Sequence, residues 1–197
     1  GRTAQIMDNL IAQGKAQPMI VVMTNGNGAR EATPSHSSEG MKQPDNRTAR
    51  GKAGAFEESF PEIVNFIDKN YRTIKKKSGR AIAGLSMGGG HTLQISKEYP
   101  DMFDYVGLFS SSVRMSSNNA ASPVYENILE KLKVQFAKKP KLYWIAIGKD
   151  DFLYKANAEF RKVLDENGLK YEYFENGDGH IWRNWRIYLT DFAQRIF

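Results

Sequence analysis

Residues 80–90, RAIAGLSMGGG, constrain this chain more than any other stretch. Arg80 to Leu85 reads as a short apolar strand, and Ser86, Met87, Gly88, Gly89 and Gly90 follow at once. The run Gly84-Leu85-Ser86-Met87-Gly88 fits a sharp strand-to-helix turn with serine at its apex. Such a serine takes a strained, positive φ to hold its hydroxyl out of the turn. Side chains two residues before or after would then meet strand or helix, so Gly84 and Gly88 are both expected to need no Cβ. The helix beginning there leaves free N–H groups and a positive dipole end beside the serine, where an oxyanion would form. The Met87 N–H is the first such donor, and the Met87 side chain is expected to fill core. A glycine–x–serine–x–glycine match can arise by chance among 17 glycines. It gains meaning only if an acid and a histidine follow at the right structural places.

The rest of the chain supplies those places. Residues 2–13 read as a helix with Ile6, Leu10 and Ile11 on one face. Pro18 to Thr24, PMIVVMT, is a continuous apolar run, as expected of a strand buried on both faces. Residues 25–55 are polar and rich in glycine and proline. They read as a long mobile flap over one edge of a site, open to proteolysis. Phe56, Phe60, Ile63, Ile67 and Tyr71 step along one helical face. A helix follows the serine turn and stops before Pro100. Further strands are expected at Tyr105–Ser110, Lys141–Ile147 and Lys170–Glu175. Helices are expected around Tyr125–Phe136, at 154–167 and from Trp182 to Ile196. Five strands alternating with helices predict an α/β chain with a parallel, doubly wound sheet.

In such a sheet, sites lie at the carboxyl ends of strands. Ser86 follows the second expected strand, Asp150 and Asp151 the fourth, and His180 the fifth. A serine hydroxyl needs a base within hydrogen-bond reach, and the base needs a carboxylate to orient it. The chain has three histidines. His36 lies in the long flap, and His91 is expected to project down its own helix. His180, in the loop Gly177-Asp178-Gly179-His180, can reach back to the centre of the sheet. Asp150 and Asp151 compete as the acid, with Asp151 favoured because the chain has begun to cross the carboxyl edge. Glu175 and Asp178 lie too near His180 in sequence to let it bridge to a distant serine. Trp182 and Trp185 flank the histidine loop. Core packing is the ordinary role for both, and Trp182 could equally line a pocket mouth.

Composition removes several alternatives. The chain has no cysteine, which excludes disulfides, thiolate metal sites and a cysteine nucleophile. The net charge is +6, with lysines at 75–77, 131, 133, 138, 139 and 141. No aromatics interleave with them, so solvated helix ends are expected rather than a nucleic-acid groove. No apolar run approaches the ~20 residues of a membrane span.

Taken together, GLSMGGG after RAIA, the IGKDD turn, the GDGHIW loop and PMIVVMTNGNG resemble carbohydrate esterase family 1 over nearly the whole chain. That family includes feruloyl and acetyl xylan esterases on an α/β-hydrolase fold. The resemblance implies Ser86 as nucleophile, Asp151 as acid and His180 as base, with no metal or organic cofactor. It points to feruloylated or acetylated xylan as substrate, and to a secreted or periplasmic enzyme. The DGHIW ending and the asparagine after PMIVVMT look most like the feruloyl esterase branch. They bring Asn25 and Gly26, with Trp182, forward as substrate-binding residues. A complete member has eight strands, with the nucleophile after the fifth. Residues 1–197 therefore resemble a single esterase domain lacking its first three strands and the loop that supplies a second oxyanion donor. The resemblance then implies that an N-terminal segment of the same polypeptide covers the edge left bare. A non-catalytic carbohydrate-binding derivative of the fold is the alternative from another class.

Overall fold

A computed structural model describes residues 1–24, 26, 54–113 and 123–197. The elements run α1 (Thr3–Ala12), α2 (Ala55–Asn70), β1 (Ala81–Leu85), α3 (Met87–Glu98), β2 (Tyr105–Phe109), α4 (Ile128–Ala137), β3 (Leu142–Gly148), α5 (Tyr154–Glu166), β4 (Glu172–Asn176) and α6 (Trp182–Ala193). The four strands are parallel, in the order β1-β2-β3-β4. Register sets Ala81 against Tyr105, Tyr105 against Leu142, and Trp144 against Glu172.

Why the central strands are apolar without alternation follows from their two covered faces. Ile82, Val106, Leu108, Tyr143 and Ile145 pack on one side with Leu93 and Ile95 of α3, Leu132 of α4 and Phe160 of α5. Phe56 and Phe60 of α2 join that cluster. Tyr105, Phe109, Leu142, Trp144 and Ala146 point the other way, against Tyr188, Phe192 and Ile196 at the chain's end. There Phe109 meets Trp144 edge-on at 5.4 Å and Phe192 at 5.7 Å, a favoured aromatic geometry. Met7 and Leu10 then fasten α1 onto Ala193 of α6. Helices on both faces make this a three-layer, doubly wound arrangement.

The run 18–24 departs from expectation. It is not a strand, so the described sheet has four strands rather than five. Ile20 is 52% exposed and Met23 75%. A strand buried on both faces needs ladder partners, and among the described residues none pairs with this segment. Instead it forms one bank of a groove of about 1470 Å³ whose opposite bank includes Ala81–Leu85 and Ile63 and Ile67 of α2. Asn25, His36 and nearly all of the expected flap lie outside the described residues.

Lys97, outside the lysine runs named above, is a different case. The Lys97 amine is wholly buried on α3 and donates to the Val124 carbonyl at 2.5 Å. Burial pushes its pKa down to about 8; Lys131 pushes the same way, while Glu98 and Glu57 oppose. Between pH 8 and 10.5 the unfolded chain therefore holds a proton that the native lysine has lost, so stability rises with pH across that window. Urea unfolding at pH 7.5 and pH 10 should show the protein gaining ~2 kcal/mol relative to Lys97→Met. A pH-independent difference between the two would contradict this account.

Candidate active site

All four strands end at one edge of the sheet, and the chemistry gathers there. Ser86 leaves β1 with φ 54° and ψ −117°, a strained backbone for a residue with a side chain. Three hydrogen bonds pin it. Its N–H donates to the Phe109 carbonyl at 2.9 Å, and its carbonyl accepts from Gly90 at 3.1 Å and Ser112 at 2.9 Å. Gly84 is required as expected, since a Cβ there would stand 2.2 Å from the Gly88 carbonyl oxygen. Gly88 is not required in the same way, because a Cβ there meets nothing within 4 Å among the described residues. The turn brings the Gly88 backbone towards Gly84 but aims the Gly88 side-chain position outward. Gly89 and Gly90 serve a close approach instead: their Cβ atoms would lie 2.8 Å from Ser111 and 2.7 Å from Ser112. The Met87 side chain is 52% exposed rather than core filling. As the first residue of α3, Met87 has a backbone N–H without an intrahelical acceptor, beside Ser86.

The structure brings Ser86, His180 and Asp151 together. Ser86 Oγ lies 2.8 Å from His180 Nε2. His180 Nδ1 lies 2.9 Å from Asp151 Oδ2 and 3.1 Å from Oδ1. The Asp151 side chain is fully buried. Its carboxylate accepts from Nδ1–H, which leaves Nε2 to accept the serine proton. Oδ1 also accepts the Leu153 N–H at 2.9 Å. Asp150 meets the histidine loop through its backbone, its N–H donating to the Asp178 carbonyl at 3.1 Å. The other two carboxylates have their own partners. Asp178, at φ 64°, pairs with Arg183. Glu175 accepts from Tyr173 at 2.6 Å and Tyr154 at 2.8 Å, bonds that hold its pKa below the usual carboxylate range.

The histidine loop is latched from below. Asn184 is completely buried and donates to the carbonyls of Gly177 at 3.1 Å and Gly179 at 3.0 Å. Its own oxygen accepts from Asn176 at 2.8 Å, and Asn176 accepts from Tyr188 at 2.7 Å. Burial, then the Asp151 charge, raise the Tyr188 pKa far above the usual phenol value, so it remains a donor. Gly148 lets this loop close over β3, since a Cβ there would meet the Asp178 carbonyl oxygen at 2.1 Å. Asn184 was open to sequence reasoning as a polar residue on the apolar face of α6, four residues after His180.

Aromatics wall the imidazole. Trp185 meets His180 edge-on at 4.8 Å, and Phe152 lies over it at 4.6 Å. Trp182 is half exposed and contacts Trp185 at 5.1 Å. His91 does not simply project down its own helix. Its Nδ1 is 2.7 Å from Glu57 of α2, and a Cβ on Gly26 would lie 3.5 Å from its ring. Asn25 lies outside the described residues. Among the described residues, no group of three or more His, Asp and Glu side chains is placed to hold a metal ion, and no helix is long and apolar enough to cross a membrane.

The family profile described as "Esterase: Putative esterase" matches residues 1–196. A curated endo-1,4-beta-xylanase/feruloyl esterase of Xylanibacter ruminicola is 31% identical over 204 residues, which is 100% of this chain and 24% of that protein. An acetyl esterase of Caldicellulosiruptor saccharolyticus is 26% identical over 66% of this chain and 59% of its own length. The chain thus spans about a quarter of the first relative and three fifths of the second. Among solved structures, a ferulic acid esterase superposes with a TM-score of 0.68 at 28% identity, covering 98% of this chain and 77% of that one. A family 1 ferulic acid esterase from the anaerobic fungus Anaeromyces mucronatus, in complex with ferulic acid, gives 0.71 at 23% identity, covering 96% and 69%. With a serine turn, a parallel three-layer sheet and a family match across all but its last residue, this chain belongs to the Esterase family and carries part of the α/β-hydrolase fold.

Proposed function

We propose that this chain is the nucleophile-bearing part of a serine esterase that hydrolyses feruloyl esters on plant xylan. One observation carries the reading: the continuous hydrogen-bonded relay Ser86–His180–Asp151. His180 Nε2 takes the Ser86 proton as Oγ attacks the ester carbonyl. The oxyanion turns towards the Met87 N–H and the positive end of α3. Collapse breaks the ester C–O bond, and His180 returns its proton to the departing sugar oxygen. Water, deprotonated by His180, then releases ferulate and restores Ser86. Asp151 stays ionised and stabilises the imidazolium. An enzyme acting on such a polysaccharide would meet it outside the cytoplasm. The acetyl esterase relative supports a second reading, acetyl xylan esterase. Initial rates on methyl ferulate and on acetylated xylan decide between them. Failure to turn over any acyl ester would favour the non-catalytic, carbohydrate-binding alternative.

The reading includes an N-terminal segment of the same polypeptide that pairs with β1. Its support is the groove. The described sheet only counts upward from β1, so it holds no point where strand order reverses, and ligands of open sheets bind at such points. Ser86 follows β1, an edge strand whose outer side has no ladder partner among the described residues. Beyond that edge lie the exposed residues 20–23. Strands inserted there would create the reversal beside Ser86, satisfy the β1 edge and bring a loop with a second oxyanion donor. An N-terminally extended polypeptide should then exceed residues 1–197 in kcat by about 10²–10³, the usual worth of one such donor. Equal kcat for the two proteins would show that the oxyanion site is complete without the extension.

A further inference from the structure

Phe152 leaves 75% of its surface in water. A lone exposed phenylalanine is ordinary; its placement is not. Its ring lies over the His180 imidazole with centroids 4.6 Å apart and planes at 52°. Trp185 meets the same imidazole at 4.8 Å and is itself part of the packed layer under α6. The imidazole therefore has one wall fixed in the protein and one wall facing solvent. The turn carrying Phe152 is rigid. Asp151 Oδ1 accepts the Leu153 N–H at 2.9 Å, and the Asp151 carbonyl accepts the Tyr154 N–H at 2.8 Å. The carboxylate that orients His180 thus also bonds the backbone of Leu153, next to Phe152.

The proton path says what that outer wall meets. His180 Nε2 gives its proton to the leaving oxygen, so the departing alcohol lies on the imidazole side of Ser86. The acyl group must lie on the other side of the serine. We infer that Phe152 is a specificity-determining residue whose exposed ring is the platform for the sugar that leaves as the alcohol. The inference rests on the esterase reading above. Sugar rings have an apolar C–H face of the size of a phenyl ring, and aromatic walls are the usual way a site fixes such a group. Phe152 touches no reacting atom; it selects by stacking on the alcohol side.

The test uses the N-terminally extended polypeptide and two esters sharing one acyl group: methyl ferulate and a feruloylated xylan oligosaccharide. The readout is the ratio of kcat/KM for the oligosaccharide to that for the methyl ester. Any loss caused by a loosened His180 is common to both and cancels. Phe152→Ala should lower the ratio about tenfold, and Phe152→Trp should keep it. An unchanged ratio in Phe152→Ala overturns the platform. So does a variant that changes only ferulate-against-acetate preference on a single alcohol, which would put Phe152 on the acyl side. A parent protein that hydrolyses neither ester defeats the esterase reading itself, and that result is read before any variant is made.

Discussion

Ser86→Ala should lower kcat for methyl ferulate by about 10⁶, with circular dichroism and unfolding midpoint close to the parent's. The size follows from what is removed. Ser86 Oγ is the only oxygen hydrogen-bonded to His180 Nε2 among the described residues. Without it no acyl-enzyme forms, and only the dipole end of α3 and binding remain. The backbone cost should be small, because the strained φ of 54° belongs to the turn and alanine tolerates it no worse than serine. A burst of methanol in the parent's pre-steady state, absent from the variant, would tie the loss to acylation. Activity within tenfold of the parent would move the chemistry to another residue.

Asp151→Asn should cost about 10⁴ in kcat, while Asp150→Asn should stay within a few-fold. An asparagine at 151 keeps the volume and can keep the Leu153 N–H bond at Oδ1. Towards His180 it presents either a carbonyl oxygen without charge or an amide N–H. The imidazole then adopts the wrong tautomer or loses the stabilisation of its charged form. Asp150 engages the histidine loop through its backbone N–H, a contact that survives side-chain substitution. Kinetics of the two variants on one substrate separate the neighbours cleanly. A reversed order of losses would give the orienting role to Asp150.

Much of this arrangement can be read from the residues. The strands β2 and β3 lie within one residue of their apolar runs, because burial on both faces leaves a signal that needs no partner to be recognised. The serine turn is legible because Gly84 has no alternative at 2.2 Å from a carbonyl oxygen. PMIVVMT misled for a related reason. Its composition reports what the segment is suited to contact, and says nothing of whether the neighbouring strands are present. Gly88 misled because a motif records a position without recording where its Cβ would point. Lys97 reads as one more cation on a helix, yet it is buried against a carbonyl 27 residues away. Phe152 was hidden differently. Its ring meets His180, a residue distant in sequence, so no local pattern marks it.

Ser86 and His180 stand 94 residues apart. A ribosome adding about 5–20 residues per second needs on the order of 5–20 seconds to cover that gap. Because β1, β2 and β3 pair in the order in which they emerge, the serine turn can assemble on the nascent chain during this interval. It does so without a base. On the proposed reading, the polypeptide stays silent towards esters until α6 docks and the loop before it brings His180 over the sheet. The same helix supplies Tyr188 and Phe192 to the core. A product of premature termination before His180 therefore fails as a fold and as a catalyst at one stroke, so no long-lived fragment with an armed serine should accumulate in the cell that makes it.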